Sequence, residues 1–152
     1  MSKISTIFDA IKTSVGTIFS TKIVIPNPYS LVDNPSVLLK DSWGLVVSDE
    51  SIGPLNTFCE YHSTRAFNIV LVKQVFRLEN NVDAFETTAK AILEDAKTLK
   101  DKMTERAQLS QDSSIDKIDF TSASGLQFLR VENFDYVYMS LSFGVSYSET
   151  IQ

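Results

Sequence analysis

Arg65-Ala66-Phe67-Asn68-Ile69-Val70-Leu71-Val72-Lys73-Gln74-Val75-Phe76 is the stretch on which the fold turns. Read as a strand, it sends Arg65, Phe67, Ile69, Leu71, Lys73 and Val75 to one side and Ala66, Asn68, Val70, Val72, Gln74 and Phe76 to the other. Both sides are apolar in the middle and polar at the ends, so the strand is expected to be covered on both faces at its centre. It sits inside a longer β signal from Thr57 to Arg77, read as one interrupted strand or two. One cover is expected to be helical. For the other, two readings stand: a Pro-rich arm of the same chain folds back over it, or further copies of the chain do.

Helical cover is available on both sides in sequence. Downstream, Asn80-Asn81 caps a helix over about 82–104, in which Val82, Phe85, Ala89, Ile92, Leu93, Ala96, Leu99 and Met103 recur at steps of three and four. Glu86, Lys90, Glu94 and Lys97 fall at exposed spacings suited to weak ion pairs. At the N-terminus, Ile4, Ile7, Phe8, Ile11, Val15, Ile18 and Phe19 form a second amphipathic stripe over 3–20, interrupted at Gly16.

Between that helix and the long strand, Pro26, Pro28 and Pro35 with Asn27 and Asn34 predict a stiff, extended arm over 26–41. Trp43–Val47 reads as a short strand, followed by a turn over Asp49–Pro54 broken by Gly53-Pro54. Residues 105–115 read as a polar loop. Three strands follow, at about 116–123, 126–133 and 134–148. In the last, Val137, Met139, Leu141, Phe143, Val145 and Tyr147 alternate with Tyr136, Tyr138, Ser140, Ser142, Gly144 and Ser146, the pattern of an antiparallel strand wet on one side. Gly144 marks a bulge or a close backbone approach. The expected fold is a single α+β domain over 1–152: an antiparallel, at most mixed, sheet of four to five strands with two amphipathic helices on one face.

Composition narrows the function. With 152 residues, 43% hydrophobic and 22% charged, the chain is large enough for one core without a metal or disulfide. One Cys and one His leave little for a zinc site, and no cofactor is expected. A net charge of −5 is the wrong sign for a general nucleic-acid binder. The weakly basic part is residues 1–40, where Lys3, Lys12, Lys22 and Lys40 outnumber Asp9 and Asp33. No apolar run approaches the roughly 18 residues of a spanning helix, and no signal-peptide pattern opens the chain, so no membrane partner is expected.

Chemistry has few footholds. In Cys59-Glu60-Tyr61-His62 an extended backbone puts Cys59 and His62 on opposite faces, which disfavours a nucleophile pair. The bland reading is a packed thiol and a hairpin histidine. The acidic pairs Asp49-Glu50, Glu94-Asp95 and Asp116 with Asp119 read as solvated charges, and no phosphate-cradling or nucleophile-elbow motif is present. The chain is therefore not expected to be an enzyme. Aromatics such as Trp43, Phe58, Tyr61, Tyr136 and Tyr138 suit either a core or a protein contact.

The N-terminal amphipathic helix is followed by Ile25-Pro26-Asn27-Pro28-Tyr29, by Asn34-Pro35 and by Leu39-Lys40-Asp41-Ser42-Trp43-Gly44 entering a strand. A two-sided strand, a second helix and a β meander complete the order. Over essentially its whole length the chain resembles the tail terminator (tail completion, minor tail) proteins of long-tailed bacteriophages. The resemblance implies a virion protein, assembled in the host cytoplasm, whose copies form a ring, usually of six, on the head-proximal end of the tail tube. Such a ring stops tube polymerisation and docks the head–neck connector; its partners are other copies, the tail tube protein and the connector protein. Genomic DNA passes through without specific binding, which acidic charge suits. No catalytic residues belong to that family.

On this reading Trp43, Arg65, Phe67, Ile69, Leu71, Val72 and Arg77 are candidate subunit contacts. Pro26, Asn27, Pro28, Tyr29 and Asn34 are candidate contacts to tube or connector. The alternatives are another neck or tail component, such as a connector or tube-related protein, and a small-molecule-binding or enzymatic α+β domain with its pocket between helices and sheet.

Overall fold

The computed structural model describes residues 3–55, 60–76, 83–105, 115 and 117–150. Two helices are described, α1 (Lys3–Ile18) and α2 (Ala84–Glu105), with six strands: β1 (Ile23–Val24), β2 (Asp41–Leu55), β3 (Glu60–Gln74), β4 (Lys117–Ala123), β5 (Gln127–Val131) and β6 (Phe134–Thr150). The class is α+β, with a mixed sheet one strand larger than the upper expectation. Its order is β1-β2-β3-β6-β4, and β5 pairs with β6 beyond the end of β4. β1 runs parallel to β2; every other pairing is antiparallel.

β3 lies at the centre, and its two faces divide as its alternation predicts. Phe67, Ile69, Leu71 and Val75 join the core beneath both helices, where Ile7, Ile11 and Val15 of α1 meet Ile92, Ala96 and Leu99 of α2. Val70 and Val72 face a second, smaller cluster on the opposite side. In the larger core Phe67 stacks on Phe143 with ring centroids 5.7 Å apart, and Phe120 tilts against Phe143 at 5.4 Å. Gly16 lies inside α1 without ending it, and a Cβ there would sit 3.8 Å from Cζ2 of Trp43.

Three expectations change, and one open reading, that of Gly144, is decided. The turn at Asp49–Pro54 is instead a continuation of β2, because two register shifts, between Val47 and Glu50 and between Ile52 and Leu55, absorb the breakers. Bulges are where a strand tolerates Gly and Pro. Leu93 belongs to the periodic series of α2 but is 49% exposed, just beyond the buried arc of Ile92, Ala96 and Leu99. β6 is not uniformly wet on its second face: Tyr136 is completely buried there. Gly144 keeps regular register with Ala66, so it marks a close approach to Thr64 rather than a bulge towards β3. Asn80-Asn81, Val82 and most of the 105–115 loop fall outside the described residues, although Glu105 closes α2 and Ile115 is buried in the core.

Candidate contact surface

The segment between β1 and β2 is compact, and that corrects the extended arm. Its ends are held together because β1 pairs with the start of β2, Ile23 opposite Ser42 and Val24 opposite Trp43. Ile25 N–H donates to the Trp43 carbonyl at 2.8 Å, and Gln74 N–H to the Lys40 carbonyl at 2.8 Å. Between these anchors the chain makes two 3-10 turns, Leu31–Asp33 and Ser36–Leu38. The prolines stiffen single residues, but Asn34 bends the whole. Only 4% exposed, it accepts from Asn27 N–H through Oδ1 at 3.0 Å. Its Nδ2 donates to the carbonyls of Asn27 (2.8 Å), Ser30 (2.9 Å) and Leu31 (3.3 Å). A short amide side chain thus supplies the turn's missing backbone partners from inside the loop. A compact loop of this length with adjoining ends is an Ω-loop.

The loop lies on the sheet face opposite the helices. Ile25 and Leu39 are buried there against Val72, Val131 and Tyr136. Pro28 presses over Gly44 so closely that a Cβ on Gly44 would come 2.5 Å from Pro28 Cβ. Tyr29 Oη accepts from Val47 N–H at 3.3 Å, covering part of the free edge of β2. Tyr136 Oη donates to the Ser36 carbonyl at 2.9 Å, and Ser36 Oγ donates to Glu132 Oε2 at 2.7 Å. Burial pushes the Tyr136 hydroxyl above its ordinary pKa, and the nearby Glu132 carboxylate acts in the same direction. Between loop and sheet remains a half-open cavity of about 290 Å³, walled by Pro28, Tyr29, Leu31 and Val32 on one side and Val70, Leu129, Tyr138 and Ser140 on the other. Outside it Tyr29, Val32 and Val37 are 69%, 59% and 66% exposed.

Two charge clusters brace the frame. Lys22 reaches Asp41 at 2.6 Å and Asp95 at 2.9 Å, and Lys73 reaches the same two carboxylates at 3.1 Å each. This square joins the α1–β1 turn, the start of β2, the end of β3 and α2. Burial pushes the Asp41 carboxyl upwards, but hydrogen bonds and charge from Lys22 and Lys73 outweigh it and hold it below its ordinary value. For Lys73 burial acts downwards, and Asp95 and Asp41 outweigh it and raise the ammonium pKa. At the other end of the sheet Arg65 pairs with Glu50 and donates to the Ser48 carbonyl at 3.1 Å.

The candidate subunit contacts do not form a surface. Trp43, Phe67, Ile69, Leu71 and Val72 are each 2% exposed or less, sealed by the helices or by the Ω-loop of their own chain. A charge placed at Leu71 would therefore break the chain's own core, and one at Val72 would displace the loop that covers it, rather than separate subunits. Arg65 is committed to Glu50, and Arg77 lies outside the described residues. Among the candidate tube or connector contacts, Pro26, Asn27 and Tyr29 are exposed, Pro28 is half-buried over Gly44, and Asn34 is an internal staple. The reading that the arm covers the second face of β3 is the one observed.

Four contributors had no place in the expectations: Ser36, Glu132 and the exposed pair Val32 and Val37. The strand expected over 126–133 ends instead at Val131, and Glu132-Asn133 form a tight turn to β6 with both residues at positive φ, 52° and 70°.

Elsewhere, Glu60 and His62 share one face of β3, and Cys59 lies outside the described residues. Of the acidic pairs, Glu50 holds Arg65, Asp95 belongs to the Lys22 square, and Asp119 pairs with Lys117 at 3.1 Å. Among the described residues no group of three or more His, Cys, Asp or Glu is placed to hold a metal ion, and no helix is long and apolar enough to cross a membrane. No protein-family model and no curated protein matches the chain.

Proposed function

We propose that this chain is a structural subunit whose copies form a ring on the head-proximal end of a long-tailed bacteriophage tail tube, ending tube growth and docking the head–neck connector. The observation that carries this reading is the Ω-loop surface. Tyr29, Val32 and Val37 present apolar side chains to solvent from the loop that covers the second sheet face, Tyr29 and Val32 at the rim of a half-open cavity. A head-to-tail ring needs two dissimilar faces on each subunit, and a sheet with helices on one side and an apolar loop on the other supplies them. The resemblance in element order and the Ile25–Tyr29 and Leu39–Gly44 segments support the particular assembly. In this role the protein performs no catalytic step, sits in the virion after assembly in the host cytoplasm, and contacts its own copies, the tube protein and the connector. A net charge of −5 suits a ring through which DNA slides without being held.

The test is assembly. The purified chain, alone and mixed with preformed tubes, is imaged by electron microscopy and weighed by light scattering. Rings, or density confined to one tube end, are expected; a chain that stays monomeric and never marks a tube end overturns the reading.

The cavity itself favours a second reading, a binding domain for a small apolar molecule. Its volume of about 290 Å³ lies at the lower edge of ligand sites, and Tyr138 and Ser140 supply polar handles. A hydrophobic dye displaced by small aromatic compounds, with a matching rise in melting temperature, would favour it over the ring.

A further inference from the structure

We infer that residues 25–40 act as a strap that swings off the sheet as one unit and is held shut by a latch on Ser36, gripped by Glu132 and Tyr136. The loop carries its own structure. All four Asn34 hydrogen bonds, and those of Asp33 to Ser30, Asn34 to Leu31, Leu38 to Pro35 and Leu39 to Ser36, stay within it. None needs the sheet, so none is lost when the loop lifts. Its ends are fixed where it leaves β1 and enters β2, which makes them the pivots.

Away from those ends, the polar ties from loop to sheet are few. Among the described residues they are Tyr29 Oη to Val47 N–H and the grips of Glu132 and Tyr136 on Ser36. The seat is imperfect as well, because the cavity leaves Leu31, Val32, Val70 and Leu129 without full packing partners. Segments with few buried contacts open locally below the free energy of global unfolding.

Glu132 singles out the latch. It occupies the first position of a two-residue hairpin turn at φ 52°, where Asn, Asp or Gly is the ordinary choice and a longer side chain is strained. From that position its carboxylate accepts from Ser36 Oγ at 2.7 Å and lies 3.4 Å from Ser36 N. Asn in the same place would relax the turn but could not reach across. The turn carries a residue that suits the strap better than it suits the turn.

Opening would bare Val72, Val131 and Tyr136, together with Val70, Leu129 and Tyr138. Under the ring reading that surface becomes available to a neighbouring copy only once the strap moves. That consequence rests on the proposed function; the strap does not.

Val72→Cys and Leu71→Cys place thiols on adjacent residues of β3, one beneath the strap and one beneath the helices. Labelling with a thiol reagent under native conditions, resolved by peptide mass spectrometry to separate Cys59, reads the two faces independently. The thiol at 72 is expected to label faster than the thiol at 71. Glu132→Asn should accelerate labelling at 72 by about tenfold, the worth of one charge-assisted hydrogen bond, and leave 71 unchanged. Ser36→Ala, which keeps the Tyr136 grip on the carbonyl, should act in the same direction but less. If both thiols label at one common rate in every background, the strap leaves only when the whole chain unfolds and the inference falls. Light scattering on the same proteins reports the ring separately, so either idea can fail without the other.

Discussion

Leu71 and Val72 are neighbours on β3 and are equally sealed from solvent, yet different kinds of structure seal them. Beneath the helices, Leu71 belongs to a core built from two regular elements and most of one sheet face, with stacked Phe67 and Phe143 at its centre. On the other side, Val72 lies under a sixteen-residue loop with two short 3-10 turns, a five-residue buried cluster and a cavity along its rim. The first cover is continuous with the fold's cooperative core; the second is an attachment whose bonds are mostly to itself. Burial alone does not distinguish them. What distinguishes them is how much of the molecule must move to expose each residue.

Truncating one residue on each side gives the largest contrast. Phe67→Ala should lower the unfolding free energy by about 3–5 kcal/mol, because a stacked ring is lost and the cavity it leaves is walled by regular elements. Val72→Ala should lose only about 1–2 kcal/mol, since its burial is worth no more than closing the strap over it. Equal losses in urea titrations would erase the distinction between the faces.

A smaller effect sharpens the same point. Gly44→Ala drives a methyl group into Pro28 and should cost about 1–3 kcal/mol. Asn34→Ala, which removes the loop's internal staple, should cost a comparable amount. Combined, they should fall short of additivity, because a strap already displaced from the sheet has less left to lose. Full additivity would place the loop within the main cooperative unit.

How far the sequence foretold these faces follows from periodicity. Alternation along Arg65–Phe76 located both buried sides of β3, because a period of two survives whatever covers it. Both helices were legible from their apolar stripes for the same reason. The strap was not, because its shape depends on Asn34 reaching back to Asn27 and on Gly44 yielding room to Pro28, and neither contact has a period. Three prolines in ten residues suggested stiffness, and stiffness was mistaken for extension. The candidate contacts failed for a related reason. Trp43, Phe67, Ile69, Leu71 and Val72 are apolar, and a sequence cannot say whether an apolar residue is covered by its own chain or by another.

The Lys22–Asp41–Lys73–Asp95 square belongs to the helix side, where it ties α2 to the ends of the central strands. Lys22→Met should cost about 1–2 kcal/mol, less than a fully buried pair because both carboxylates are partly exposed. The pH dependence has two edges. Asp41 is held below its ordinary pKa, so its contribution is complete above about pH 4 and lost as pH falls through the lowered value. Lys73 is raised, so its contribution is complete below about pH 10 and lost as pH climbs through the raised value. Melting temperatures measured across pH should show a flat middle with both edges diminished in Lys73→Met; an unaltered profile would remove the square from the stability of that side.

Gly16→Ala should raise stability by about 0.5–1 kcal/mol, since the helix gains propensity and the new methyl group meets Trp43 at ordinary contact distance. A loss instead would mean that α1 lies closer to the sheet than an added methyl group allows.

Smallest in stability and most telling for function is Tyr29→Ser on the strap's outer surface. The residue is 69% exposed, and its hydrogen bond with Val47 N–H on a strand edge can be replaced by water. Unfolding free energy should therefore change by less than about 0.5 kcal/mol. Assembly should respond quite differently, because an exposed aromatic ring at the rim of a cavity is the type of residue that anchors a protein contact. Light scattering should find the mass of Tyr29→Ser reduced towards the monomer while its urea midpoint stays in place. Should Tyr29→Ser and Val32→Ser together leave assembly intact, the contact lies away from the strap, and the exposed side chains of the β4–β5 edge, Leu126 and Phe128, become the surface to alter next. The two faces would then differ in how they fold but not in what they bind.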